Sequence, residues 1–343
     1  MMRLPLSWLL AFTTAALALL LLGSLATGPM TLTLGESLRA LFAGQESGIE
    51  SHKLLIVQEI RLPRTLLCIA VGGILGLCGA VMQGLFRNPL ADPGIIGVSG
   101  GAALGAALAI VLLAPLGQQL QATIGVGLLP LLAFLGGALT TTLVYLLGTR
   151  EGGTSVTVML LAGVAITALS GAVIGLLTYL ADDQMLRNLS LWQMGTLAAG
   201  KPADVALALL TLAALQWLFM LDANPLNALL LGEGEARHLG VNVQSLKRRL
   251  ILLTAAGVGV AVAVSGMIGF VGLVVPHLVR LLAGPNHVRL LPLSALLGAA
   301  LLLAADMLAR TLLAPAELPV GIITALLGAP FFIWLLVKGR RAL

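Results

Sequence analysis

Residues 61–101 read RLPRTLLCIAVGGILGLCGAVMQGLFRNPLADPGIIGVSGG, and this stretch decides the fold. Two arginines, Arg61 and Arg64, lead into an apolar run rich in Gly, Ala, Leu and Val, which ends at a polar, proline-containing turn at residues 86–89. A second Gly-rich apolar run starts at Gly94. Small residues let membrane helices approach closely, and the four-residue spacing of Gly72 and Gly76, and of Gly97, Gly101 and Gly105, predicts close helix crossings. The stretch therefore predicts a hairpin of two membrane-spanning helices, with charge at one end and a shaped turn at the other.

The composition of the whole chain favours a polytopic membrane protein. Of the 343 residues, 59% are hydrophobic and only 10% are charged, and the mean hydropathy is +1.07. A soluble domain needs a larger charged surface than this. Because a spanning helix takes about 20 apolar residues, the chain has room for about ten. No sustained alternation of the kind found in β-barrel strands is present, so we expect an all-α membrane fold in a single domain, residues 1–343.

Ten apolar runs are candidate membrane spans. They cover residues 5–28, 62–86, 95–115, 124–147, 156–180, 203–221, 249–266, 267–283, 290–313 and 318–337. The first run follows Arg3 and resembles a signal peptide, but it is long enough to span and is interpreted as a retained helix. An even number of spans places both termini on one side. With both termini in the cytoplasm, 12 of the 19 basic residues lie inside, as the positive-inside rule favours.

The net charge of +5 is explained by basic cytoplasmic loops, so no nucleic-acid partner is expected. The only two cysteines, Cys68 and Cys78, lie in the second span ten residues apart and do not share a helix face. We interpret them as packing residues, without a disulfide or a metal.

Three polar segments interrupt the apolar pattern. Residues 29–61 form a long outer loop, and residues 222–248 form a long inner loop. The inner loop contains LGEGEARHLGV, in which charged residues alternate with small and apolar ones, and this predicts a short amphipathic helix lying against the membrane face. Residues 182–200 are too polar and too short to span, so they are either a surface loop or a partial helix lining a cavity.

Four motifs in register resemble the permease subunits of ABC importers for cobalamin, ferric siderophores and haem. They are residues 61–101, residues 232–241, GFVGLVVPH at 269–277 and ELPVGIITALLGAP at 317–330. The resemblance runs from about residue 55 to the C-terminus. It implies ten transmembrane helices per subunit, a homodimer in the inner membrane, and a transport path along the dimer axis. It also implies two ATPase subunits in the cytoplasm and a periplasmic substrate-binding protein. Lipid surrounds such a unit, and no cofactor is expected. Because the chain has no GxxxxGK[ST] phosphate loop, ATP hydrolysis would belong to the partner and not to this chain.

The resemblance assigns three arginines to docking of the binding protein. Arg61 and Arg64 lie at the outer end of the second predicted span, and Arg310 lies at the outer end of the ninth. In the family, arginines at the matching positions receive glutamates of the binding protein, and the guanidinium group offers a planar fork for a carboxylate. The alternative is that each arginine simply keeps its charged group in interfacial water.

Two polar positions resemble the cytoplasmic gate of the family. Asn88, Pro89 and Leu90 form the turn after the second span, and proline can hold such a constriction rigid. Thr157, which follows Gly152-Gly153, is a second candidate. The alternative interpretation is an ordinary capped loop.

The segment 231–241 resembles the coupling helices that contact the ATPase. The residues assigned to this contact are Gly232, Glu233, Glu235, Arg237, His238 and Gly240. A solvated amphipathic loop is the alternative.

The resemblance places the translocation path along the fifth span, the partial helix after it and the tenth span. The residues offered there are Tyr179, Met185, Arg187, Trp192 and Met194, with Gly321 and Ala325 as small residues. The small number of charges suits a large, mostly apolar cargo. Arg187 could meet a cargo carboxylate, and the methionines could contact haem iron or simply fill space. The pattern DDQMLR at 182–187, followed by WQMG at 192–195, resembles haem permeases more than cobalamin permeases. This resemblance implies haem as the first expected cargo, then a ferric siderophore, then cobalamin.

One acidic residue, Asp306, lies inside an apolar span. A carboxylate in a membrane usually faces protein or water, and Asp306 is one helical turn from Arg310, a spacing that permits an ion pair. We expect a structural pair, with proton coupling as the alternative. An ion-driven secondary transporter is the competing class of protein, but that class favours paired acidic residues at mid-membrane.

Overall fold

The structure, a computed structural model, describes residues 5–42, 50–114, 127–150, 153–198 and 200–339. The helices, numbered in chain order, are α1 (Leu6–Ala26), α2 (Leu34–Phe42), α3 (Ser51–Leu55), α4 (Leu62–Leu85), α5 (Val98–Val111), α6 (Leu128–Gly148), α7 (Val156–Leu180), α8 (Asp183–Gln193), α9 (Pro202–Leu221), α10 (Ala223–Leu230), α11 (Glu233–His238), α12 (Val243–Ser265), α13 (Val271–Ala283), α14 (His287–Thr311) and α15 (Val320–Gly339). A π-helical segment (Ile56–Arg61) joins α3 to α4, and a 3₁₀ turn (Pro93–Ile96) precedes α5. Two short antiparallel strands, β1 (Thr149–Arg150) and β2 (Gly153–Thr154), form a hairpin before α7.

The predicted all-α membrane fold is confirmed. Seven helical stretches in the described residues are long and apolar enough to cross a membrane, and three shorter apolar helices, Val98–Val111, Val271–Ala283 and Val320–Leu335, match the remaining predicted spans. The boundary between the seventh and eighth predicted spans lies at Gly266 and Phe270, which take positive φ values of +69° and +67°. Between them the chain is not helical, so α12 and α13 are separate helices.

The centre of the bundle is α4, which packs against α9, α12, α13 and α14. The glycines of α4 allow it to lie this close to its neighbouring helices. A Cβ on Gly72 would collide with the backbone of Gly298 in α14, and one on Gly79 would collide with Gly272 in α13. The close helix crossings predicted from the glycine spacing are therefore present. In the same way Gly101 of α5 meets α6.

A buried glutamine compensates for the proline inside α13. Pro276 has no N–H, so the carbonyl of Gly272 loses its helical partner. The Gln83 side chain of α4 fills this place, donating from Nε2 to the carbonyls of Gly272 at 3.4 Å and Leu273 at 3.0 Å. The α4–α13 crossing thus combines close packing with a polar contact.

The two shorter predicted elements are helices. Residues 182–200 contain α8, whose N-terminus is capped by Asp182 Oδ1 accepting from the Met185 amide at 2.8 Å. The segment therefore contains a helix, and its position as a partial helix within the membrane stays a prediction. The inner loop contains α11, where Ala236 is buried while Glu235, Arg237 and His238 are exposed. That amphipathic pattern agrees with the prediction. Residue 199, Gly152 and residues 43–49 of the outer loop lie outside the described residues.

Candidate functional site

A buried charge cluster joins α4, α14 and the segment before α15. Arg64 is 5% exposed. Its Nε and Nη2 donate to Asp306 Oδ1 at 3.0 and 2.9 Å, and its Nη1 donates to Glu317 Oε2 at 2.6 Å. Asp306 also pairs with Arg310, Nε to Oδ2, at 3.0 Å. The predicted Asp306–Arg310 pair is confirmed, but Arg64 is a further partner that local spacing did not indicate.

The other two arginines of the cluster hold the end of α1. Arg61 Nη1 donates to the carbonyls of Leu25 at 2.7 Å and Ala26 at 2.9 Å. Arg310 donates to Ser24 Oγ at 2.7 Å and to the Thr27 carbonyl at 3.1 Å. The last carbonyls of a helix have no intrahelical partner and carry partial negative charge, so a cation is favourable there. Both arginines therefore fix α1 to the core.

All three arginines predicted to dock the binding protein are thus inside the chain and occupied by internal partners. They line a shared cavity of about 220 Å³ with Glu317, Gly28, Pro29, Met30, Ile56 and Ile60. The alternative interpretation, in which each arginine keeps its charged group in interfacial water, does not fit residues that are only 2–5% exposed. Arg64 and Arg310 pair with the two carboxylates of this cluster, whereas Arg61 contacts only carbonyls, so its positive charge is in excess beside the cavity. Docking at these residues stays a prediction.

The structure places the residues predicted to line a translocation path in different surroundings. Tyr179 is 87% exposed on α7, and Arg187 is exposed on α8. Met194 lies at the end of α8, where its carbonyl is so close to Gly321 of α15 that a Cβ there would collide with it. Met185 is half-buried and packs against the core.

Trp192, the remaining predicted path residue, is buried and lines a different cavity. This cavity has a volume of about 760 Å³ and lies between α5, α6, α9 and α12. Its wall is mainly apolar and includes Phe134, with Lys201 and Asp204 as charged residues. The structure does not bring Trp192 to the exposed surface that carries Tyr179.

Sequence reasoning missed the backbone junction beside Met194. Gly195 has a φ of +73° and lies against the carbonyl of Met267, while Gly266 lies against the carbonyl of Trp192. The Thr196 amide donates to the Ser265 carbonyl at 2.8 Å. The end of α8, the link between α12 and α13, and the start of α15 therefore meet with little side-chain volume between them. Three glycines in separate parts of the sequence, Gly195, Gly266 and Gly321, were the available signal.

The turn after α4 is closed by its own polar groups. Asn88 Oδ1 accepts from the Leu90 amide at 2.9 Å, and the Asn88 amide donates to the Gln83 carbonyl at 3.1 Å. Asn88 and Pro89 are exposed within one copy of the chain. The other gate candidate, Thr157, is exposed in the first turn of α7. An ordinary capped loop would have the same internal contacts as a gate, so a gate at this turn stays a prediction.

The predicted coupling residues group at the same end of the bundle as this turn. Glu233 of α11 pairs with Lys247 of α12, Oε1 to Nζ, at 2.6 Å, and more weakly with Arg237 at 3.9 Å. Arg87, with a left-handed φ of +49°, places its Nη1 3.8 Å from where a Cβ on Gly232 would lie. The turn after α4 and α11 are therefore neighbours, a juxtaposition that sequence spacing did not predict.

The described residues contain no group of three or more His, Cys, Asp or Glu side chains suited to hold a metal ion. Cys68 and Cys78 are both buried, with free thiols. The arrangement provides charged and polar contacts at the two ends of a helical bundle.

Comparison with known proteins identifies the family. Residues 16–338 match the model of the FecCD transport family. The chain is 47% identical to the hemin transport system permease protein HmuU of Yersinia pestis, covering 97% of this chain and 96% of that protein. It is 44% identical to the cobalamin import system permease protein BtuC of Halobacterium salinarum, covering 87% of this chain and 77% of that one.

A solved structure agrees with these sequence matches. It is described as of the metal-chelate ABC transporter type, in an inward-facing conformation. It matches with a TM-score of 0.82 and 34% identity, covering 97% of this chain and 99% of the other. Since the sequence, the helical architecture and the solved relative agree over nearly the full length, this chain belongs to the FecCD transport family.

Proposed function

We propose that this chain is the permease subunit of an ATP-driven importer that carries an iron chelate, with haem as the first candidate, into the cytoplasm. The observation that carries this proposal is the 47% identity, over nearly the whole chain, to a hemin permease. A ferric siderophore is the next candidate cargo. Cobalamin is the second function to consider, because a cobalamin permease is 44% identical to the chain.

The importer would contain two copies of this chain, two ATPase subunits in the cytoplasm and a binding protein outside, in the inner membrane with both termini inside. The long helix α7 supports a homodimer. In its most apolar stretch only 17% of the residues are buried within one copy. A Cβ added at Gly171 or Gly175 would meet nothing within 4 Å. A second copy is our proposed occupant of this face, with Tyr179 and Met194 facing the path between the two copies.

Docking at the outer side would use the cavity beside Arg61, Arg64 and Arg310. A binding-protein carboxylate reaching this cavity would find the excess positive charge of the cluster, and the bidentate geometry of arginine suits a carboxylate. Coupling to the ATPase would use α11, whose exposed side carries Glu235, Arg237 and His238.

The test is uptake by the reconstituted complex. The chain is placed in proteoliposomes with its ATPase and binding protein, and hemin, a ferric siderophore and cobalamin are supplied separately. We expect ATP-dependent accumulation of hemin above the other two cargoes. Accumulation of cobalamin alone would reverse the cargo assignment. Transport driven by an ion gradient with an inactive ATPase would instead place the chain among secondary transporters.

A further inference from the structure

One buried lysine connects three separate pieces of the chain at the α11 end of the bundle. Lys247 of α12 is 2% exposed. Its Nζ donates to Glu233 Oε1 of α11 at 2.6 Å and to the backbone carbonyl of Thr154 in β2 at 3.0 Å. α11 and β2 are about 80 residues apart in sequence. Lys247 therefore forms a direct bridge between two elements that are distant along the chain.

The bridge is unusual for a lysine. Lysine is almost never fully buried unless it is paired, and replacing a buried ion pair by apolar side chains of similar volume is often neutral or stabilising. Stability alone is thus a weak reason for a charged group at this position. Only the Lys247 end of this pair is buried, since the Glu233 side chain is 35% exposed. A charged group buried in this way has its best-attested use in fixing the register of the elements that it joins, or in switching between two arrangements.

A second residue of α12 fastens the same hairpin. Gln244 Oε1 accepts from the Thr154 amide at 3.1 Å, and the Gln244 side chain lies so close to Gly153 that a Cβ there would collide with it. The amide and the carbonyl of Thr154 are therefore both held by α12. Movement of the hairpin relative to α12 would therefore strain or break these bonds.

The hairpin leads directly into α7. The amide of Ser155 donates to the Gly148 carbonyl at 2.8 Å, and Ser155 caps α7 through its Oγ, which accepts from the Val158 amide at 3.5 Å. Thr157 follows in the first turn. A displacement of Thr154 is thus passed within two residues to the start of the helix whose apolar face is uncovered in one copy of the chain.

From this chain of contacts we propose that Lys247 is a positioning residue that transmits movement of α11 to the hairpin and to the first turn of α7. The inference rests on the proposed function, in which α11 contacts the ATPase and α7 borders the path. Glu233 is the input side of the bridge, and the carbonyl of Thr154 is the output side.

The test variant is Lys247→Met, which keeps the length of the side chain and removes the charge. In the reconstituted complex with ATPase and binding protein, hemin taken up per ATP hydrolysed should fall about tenfold, within the 5–150-fold range usual for coupling between sites. Basal ATP hydrolysis should be retained. Lys247→Arg, which keeps a cationic donor, should restore part of the uptake. Arg248→Gln is the matched control, because Arg248 is the exposed neighbour on α12.

A double variant tests the bridge itself. Glu233→Gln should lower the uptake per ATP as Lys247→Met does, and the two changes together should cost little more than either alone, since residues acting through one contact are not additive. Multiplication of the two separate losses would overturn the proposal. So would unchanged uptake per ATP in Lys247→Met, or a loss that only follows a lower thermal midpoint and is not restored by arginine.

A measurement without cargo separates this inference from the proposed function. In the complex with its ATPase, addition of ATP and vanadate should change hydrogen exchange at the amides of Thr154 and Ser155, and Lys247→Met should abolish that change. If no cargo is imported but this response is present and lost in the variant, the cargo assignment fails and the transmission stands. If exchange at these amides does not respond to nucleotide in the parent chain, the transmission is wrong.

Discussion

Replacing Asp306 by asparagine should be far more damaging than replacing the other acid of the same cluster. The Asp306 side chain is 0% exposed and is paired with two guanidinium groups, of Arg64 at 2.9 Å and Arg310 at 3.0 Å. Asp306→Asn keeps the shape but leaves both cations with one carboxylate, Glu317, which contacts only Arg64. Removing one partner from a buried ion pair costs about 3–5 kcal/mol, because an uncompensated charge stays buried.

Glu317→Gln is the matched control. It removes a carboxylate from the same Arg64, in a contact of 2.6 Å, but the Glu317 side chain is 35% exposed. Because water can replace much of that interaction, the cost should be about 0–1 kcal/mol. Because both substitutions replace a carboxylate by an amide, the difference between their losses in the free energy of unfolding measures the effect of burial.

The measurement is the free energy of unfolding of each purified variant in mixed detergent micelles, supported by the thermal midpoint. A second substitution sharpens it. Arg310→Met combined with Asp306→Asn removes the cation that has lost its only carboxylate partner and should recover part of the loss, with a coupling energy of about 0.5–3 kcal/mol. If Asp306→Asn costs no more than Glu317→Gln, the cluster is not held as a buried network and the reasoning is refuted.

Three further outcomes follow from the contacts. Glu317→Gln should strengthen docking of the binding protein severalfold at low salt, because it frees Arg64 for an external carboxylate; unchanged or weaker affinity would contradict docking at this cavity. Asn88→Ala should raise ATP-independent leak of cargo from proteoliposomes, since the Leu90 amide loses its acceptor, whereas Asn88→Asp keeps an acceptor and should leak less; equal leak in both would remove the gate assignment. The hydrogen bond from Lys53 lowers the pKa of the Glu36 carboxyl from 4.5 to about 2, so its stabilising contact should be complete above pH 4.5 and disappear as the pH falls towards 2. As the pH is lowered over this range, the thermal midpoint of Glu36→Gln should accordingly fall less than that of the parent chain. Parallel curves of thermal midpoint against pH would show that the contact does not contribute to stability.

Some features of the fold were predictable because they depend on neighbours in sequence. The apolar runs predict the spanning helices, since the length of a run is matched to the thickness of a bilayer. The spacing of Gly72 and Gly76 predicts a close helix crossing, and the separation of Asp306 and Arg310 by one turn predicts their ion pair. The amphipathic pattern of residues 231–241 predicts a short helix, and the structure has α11 there.

Other features depend on which helices pack together, and no local pattern contains that information. Arg64 and Asp306 are 242 positions apart, and they meet only because α14 crosses α4. For the same reason, the resemblance pointed to Arg61, Arg64 and Arg310 for docking but not to their internal partners. Packing places the Arg61 and Arg310 guanidinium groups at carbonyls at the end of α1, and it places the Arg64 guanidinium group between two carboxylates.

The sequence by itself determined that the chain is a helical membrane protein with charge at one end of a glycine-rich hairpin, because hydropathy and helical spacing act over one to a few turns. Only the tertiary structure decided which partners that charge has, and that Lys247 joins α11 to the hairpin before α7. The physical reason is that a buried charge must find a partner wherever packing places one, and packing joins helices that are distant along the chain.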